Sequence, residues 1–130
     1  MTKEAAKKWF KQALHDLKMA EKNIEIEGYD VAAFLAHQAV EKLLKCVLII
    51  EEKEVPKTHK LDRLSQLLNI STEVTDKILE LTEDYTLSRY PDVSSDVPYI
   101  QYNNTSANRK VTIAKEIFEA LKDRYKNLGE

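Results

Sequence analysis

The chain has 130 residues, 43% hydrophobic and 32% charged, with two glycines and three prolines; this suits one domain with a sizeable core and argues against β-rich or disordered architecture. A net charge of −2 gives no whole-chain pull on nucleic acid. One cysteine, Cys46, excludes an intrachain disulfide, a Cys-rich zinc site and a CxxC redox pair. An all-α single domain over residues 1–130 is expected.

The first helix is predicted from Thr2, as N-cap, to Glu27, with Phe10, Ala13, Leu14, Leu17, Ala20 and Ile24 recurring at helical spacing above a face of Lys and Glu. Gly28 then offers a stop, and Asp30 a cap for a second helix reaching Glu54, so the two should form an antiparallel hairpin. Pro56 marks the exit. Thr58 is expected to cap a short third helix with Leu61, Leu64, Leu67 and Leu68 on its apolar face. After a break at Asn69, Ser71 or Thr72 caps a fourth helix carrying Val74, Ile78, Leu81 and Tyr85, which Pro91 terminates. Residues 91–104 lose all periodicity and form the one long irregular loop, a common setting for function. The last helix runs from Thr105 or Ser106 to Leu128, with Ala114, Ile117, Phe118, Leu121 and Tyr125 inward.

Charge is unevenly spread: residues 51–104 hold eleven acids against six bases, and residues 105–130 six bases against four acids. Solvated helix faces account for this, although a local basic surface is compatible with it. The N-terminal MTKEAAKKWF has no signal-like apolar block, and the run Cys46–Ile50 is too short to span a bilayer, so a cytoplasmic protein with no membrane partner is expected.

The second helix is apolar except for one strip. His37, Glu41 and Lys45 fall on one line, with Gln38 and Lys42 beside them, all within roughly 140° of the surface. Two further motifs bear polar groups: Thr58-His59-Lys60 after Pro56, and Arg89-Tyr90-Pro91-Asp92 where the fourth helix meets the loop. Together with Ala13-Leu14-His15-Asp16-Leu17 and Gly28-Tyr29, in this order, the sequences HQAVEK at 37–42, PKTHKL at 56–61 and SRYPD at 88–92 resemble the HEPN family, the higher eukaryotes and prokaryotes nucleotide-binding domain. The resemblance covers about Trp9 to Leu128. It implies an up-and-down helical bundle, here of about five helices, that pairs as a homodimer. It also implies a minimal nucleotidyltransferase as partner, often in a toxin–antitoxin pair. Its ribonuclease members carry an Arg followed a few residues later by a His. Here His15, His37 and His59 all precede Arg63, Arg89, Arg109 and Arg124, so that motif is absent and no catalytic residue is assigned.

The ligand-binding candidates are therefore His37, Gln38, Glu41, Lys42, Lys45, His59, Arg89, Tyr90 and Asp92. As a binding groove, the lysines and histidines would meet phosphate oxygens of a nucleotide or RNA while Gln38 or Glu41 reads a base or ribose. As architecture, Glu41 pairs with Lys45 or Arg89, His37 and Gln38 satisfy a helix contact, and Arg89 or Asp92 ends the fourth helix. An RNA-cleaving site built from His37 or His59 with Arg89 is a third reading. Tyr99 and Tyr102 suit base stacking or, more commonly, closure over a core or a protein interface. Trp9 should straddle the core edge. The scattered histidines lack zinc-ligand spacing, buried Cys46 is a poor nucleophile, and no phosphate loop is present, so neither cofactor nor metal is expected.

Overall fold

The structure, a computed structural model, describes residues 2–128, the side chain of Thr2 excepted, so the cap expected there lies outside it. The described residues form α1 (Thr2–Glu25), α2 (Tyr29–Ile50), α3 (Leu61–Leu67), α4 (Thr72–Leu81), α5 (Asp84–Leu87), α6 (Pro98–Gln101), α7 (Asn104–Ala120) and α8 (Lys122–Tyr125), closed by a 3-10 turn at Lys126–Leu128. No strand occurs among them, and none of these helices is long and apolar enough to cross a membrane.

The all-α bundle is organised around α2, which touches each of the other seven helices. Its sequence explains why. Ala32, Ala33, Ala36, Ala39, Val40, Leu43, Leu44, Cys46, Val47 and Leu48 are all fully buried and spread around its circumference rather than along one stripe. Small residues set the approach of α1, whose Ala6, Ala13 and Ala20 are fully enclosed. On the other side Leu61, Leu64, Ile78, Leu81, Ala114 and Ile117 complete the core. Phe118 and Leu121 are buried as expected, and Tyr125 packs on Phe10 with ring centroids 4.9 Å apart. Two expected core residues point outward instead: Leu14 is 44% exposed and Leu67 38%. Each lies at the edge of its helix's apolar arc, where periodicity cannot tell contact from solvent.

Helix ends depart most from the sequence reading. Gly28 has φ −87°, whereas Glu27 before it takes the left-handed conformation at φ 63°. Gly28 N–H bonds Asn23 O at 2.7 Å and Glu27 N–H bonds Ile24 O at 3.1 Å, the paired closure of a Schellman end. Gly28 is still constrained, since a Cβ there would sit 2.9 Å from Asn23 Oδ1. Asp30 lies in the first turn of α2 and does not cap it.

The same closure ends α2 at Ile50, short of Glu54: Glu52 is left-handed at φ 58°, Lys53 N–H bonds Leu48 O at 2.9 Å and Glu52 N–H bonds Ile49 O at 3.0 Å. Asn69, φ 52°, repeats it after α3, as the expected break. Two of the three left-handed residues among those described are glutamates, which carry no glycine signal.

Thr58 does not cap α3; its hydroxyl accepts Lys60 N–H at 3.1 Å in a local turn, and Lys60 holds the cap position. Ser71 does cap α4 through Val74 N–H. The predicted fourth helix divides at Thr82–Glu83 into α4 and α5, and the final one begins at Asn104 behind an Asn103–Ser106 capping box. The loop contains one helical turn, α6, started by Pro98. Tyr102, just beyond it, donates its hydroxyl to the buried carboxylate of Asp84, which Lys110 Nζ of α7 also approaches at 3.1 Å. That node fastens loop, α5 and α7 together.

Replacing Glu52 with Gly should raise stability by roughly 0.5–1 kcal/mol, the left-handed penalty less the greater unfolded-chain entropy of glycine. The check is a higher urea midpoint at unchanged m-value.

Candidate functional site

Residues 37, 41 and 45 of α2 stack one turn apart, His37 toward Tyr85 of α5, Glu41 toward His59 in the segment between α2 and α3, and Lys45 toward Trp9 of α1. Glu41, 4% exposed, is the centre: Lys45 donates to its Oε2 at 2.9 Å, and His59 Nδ1 lies 3.0 and 3.1 Å from its two oxygens. Lys45 is itself buried, with its ammonium 5.6 Å from the ring centre of Trp9, which is half-buried at the core edge. His59 leads outward, its side chain 51% exposed, and stacks on Tyr85 at a centroid distance of 4.1 Å and an interplanar angle of 14°.

Tyr85 joins the two halves of the site. Arg89, one turn further along the chain, lies over Tyr85 at 4.8 Å, Phe34 at 5.2 Å and Tyr90 at 5.1 Å. The guanidinium is held by aromatic faces and, among the described residues, pairs with neither Glu41 nor Asp92. A planar cation stacked this way keeps its N–H edges available to an anion. His59 and Tyr85 together line a hollow of roughly 470 Å³ edged by Lys57, Thr58, Lys60, Thr82 and Thr86. That volume is in the range of small-molecule sites.

The nine candidate residues do not converge equally. Glu41, Lys45, His59, Arg89 and Tyr90 form one connected set. Lys42 turns the other way, 2.5 Å from Asp16 Oδ2 on α1, where Gln12 also donates to Asp16 at 2.9 Å; it is a tie across the hairpin. Gln38 is half-buried and Asp92 exposed, and neither joins the hydrogen bonds of the site.

His37 is fully enclosed, and neither ring nitrogen has a hydrogen-bond partner among the described residues. Its Nδ1 is 3.9 Å from Glu41 Oε1, beyond hydrogen-bond reach. Burial lowers its pKa to about 4 despite the opposing pull of Glu41, so the ring is neutral near pH 7 and makes no ion pair there. Cys46 is likewise sealed, its thiol pushed up to about 12 by burial.

A model of the HEPN domain matches residues 6–124. The chain belongs to the HEPN family. Two solved structures share the HEPN bundle seen here. ST0689, described as an archaeal HEPN homologue, is 31% identical with a TM-score of 0.79, over 92% of this chain and 96% of that one. TT1696 from Thermus thermophilus is 24% identical with a TM-score of 0.83, over 92% and 97%, a likeness of fold. Comparison with curated proteins gave no significant match.

Within this HEPN fold the residue that sequence reading undervalues is Tyr85. Its spacing assigns it to the apolar stripe of the fourth helix, yet a step of four residues to Arg89 puts both on one face. Lys57, Thr82 and Thr86 give no signal at all, because two segments far apart in the chain supply the hollow. Asp84 is equally silent. Burial raises its pKa, against the pull of the Tyr102 hydroxyl and Lys110, and the Tyr102 proton is held correspondingly tightly.

His37 imposes a pH dependence whose sign follows from its depressed pKa. The unfolded chain takes up the proton near 6.5 and the folded one only near 4, so stability falls as pH drops through that window. The loss should be on the order of 3 kcal/mol. Urea denaturation of the wild type and His37→Leu at pH 7, 5.5 and 4.5 checks it, with the difference between the two shrinking or reversing in favour of the variant as pH falls.

Proposed function

We propose that this HEPN domain is a binding module. It pairs with a second copy, partners a minimal nucleotidyltransferase in a toxin–antitoxin-like arrangement, and takes a nucleotide or RNA phosphate in the hollow beside His59. The observation that carries the ligand part is the rim itself. Lys57 and Lys60 edge the hollow, Arg89 lies over the Tyr85 ring that lines it, and none of the three has a carboxylate partner among the described residues, while Glu41, which backs His59, is occupied by Lys45 and His59. Phosphate oxygens would meet the free cations and the threonine hydroxyls. The inner strip then serves as a brace that fixes His59, and the outer rim makes the contact.

A second reading draws on one specific feature. A half-exposed imidazole backed by a buried carboxylate, with an arginine on the same tyrosine ring, suits a general acid–base, so metal-independent RNA cleavage by His59 with Arg89 is the rival. His37 has no such part, being closed to solvent and unpartnered.

Co-expression with a minimal nucleotidyltransferase, size-exclusion chromatography and nucleotide titration calorimetry test the proposal. Arg89→Ala should weaken mononucleotide affinity by about 10- to 100-fold, the loss expected for a charge-assisted contact, with the melting temperature little changed. A monomer that captures neither partner nor nucleotide would overturn it. RNA cleavage in the presence of chelator, abolished by His59→Ala, would transfer the assignment to the rival.

A further inference from the structure

The outward face of α1 carries a feature the hollow does not use. Lys8, Lys11, His15, Lys18 and Lys22 are all exposed, at steps of three and four residues. Helical geometry puts them in an arc of about 80°, along about 21 Å of helix. They lie opposite the buried Ala6, Ala13 and Ala20, at the point of α1 furthest from the core. A solvated helix face ordinarily mixes signs so that i,i+4 neighbours attract. Here the acids of the middle of the helix are drawn aside: Asp16 to Lys42 and Gln12, and Glu21 to Lys115. Only Glu4 at one end and Glu25, 4.0 Å from Lys22, at the other flank the ridge. In a chain of net charge −2, such a single-sign row is segregation rather than general basicity.

We propose that this ridge is a docking site for the phosphodiester backbone of a nucleic-acid strand, separate from the hollow at His59. Its regularity selects that partner. A duplex strand carries one phosphate per about 3.4 Å of helix axis, a dense single-sign charge that a row of lysines can follow, and lysine ammoniums suit sequence-independent contact. A folded acidic protein would need an apolar anchor at the centre of the contact, whereas the exposed apolar residues here, Leu14 at the margin and Ile26 past the end at Lys22, are both peripheral.

The test is fluorescence anisotropy with the full chain and labelled RNA and DNA oligonucleotides of about 20 nucleotides, single- and double-stranded, between about 50 and 200 mM salt. Four lysine contacts predict a log–log salt slope of about −3 on single strands and about −4 on duplex. The variant K8E/K11E/K18E/K22E should lose at least tenfold in affinity with its circular dichroism unchanged. K53E/K77E/K122E/K126E, with the same net charge, should stay within about threefold of wild type. RNA and DNA arms decide which backbone is preferred. Absence of binding at the lowest salt, a slope near zero, equal losses in the two charge-reversed variants, or tighter binding of a poly-glutamate peptide than of any strand would overturn the proposal. Each would leave the nucleotide-titration result at the His59 hollow to be judged separately.

Discussion

A carboxylate buried in the central helix must find partners close by, and at Glu41 that requirement sets the geometry of one whole side of the molecule. Lys45, a turn away, supplies one partner at 2.9 Å, and His59 supplies another from a segment eighteen residues distant in sequence. Removing one side of such a buried pair typically costs about 3–5 kcal/mol, because the remaining group is left without compensation. The link from Glu41 to His59 therefore pins the irregular stretch between α2 and α3 against the bundle. His59 in turn stacks on Tyr85, and Tyr85 carries Arg89. A polar demand inside the core is thus passed outward, through one imidazole and one phenol ring, to a cation at the surface.

Two other buried acids do similar work elsewhere. Asp16 on α1 takes Lys42 and Gln12, joining the first two helices along a seam otherwise made by alanines. Asp84 takes Tyr102 and Lys110, so the loop after Arg89 and the long helix α7 are both fixed to the residue just before Tyr85. The rim of the hollow is held from below by Glu41 and from the side by Asp84. His37 stands apart from these networks, enclosed beside Glu41 yet too far to bond it.

The apolar periodicity made the long helices legible, because burial of a stripe is what stabilises them. Phe10, Ala13, Ile78, Ala114 and Ile117 sit where their spacing placed them. The helix ends were not legible where glutamate took the left-handed position, at Glu27 and Glu52, since the Schellman hydrogen bonds that favour it are made by the backbone and leave no mark in residue type. The break between α4 and α5 was hidden for a related reason: Ile78, Leu81 and Tyr85 keep helical spacing across it.

By itself the sequence determined the helical class, the polar strip on the second helix and, through its ordered motifs, membership of the HEPN family. Those properties depend on local spacing and residue type, which a linear reading carries. Only the tertiary structure decided which polar groups meet. It sent Lys42 to Asp16, gave Glu41 to His59 rather than Arg89, sealed His37 from solvent and laid Arg89 on Tyr85 and Phe34. Each choice depends on which face of a neighbouring helix lies within a few ångströms, and that distance is a property of packing.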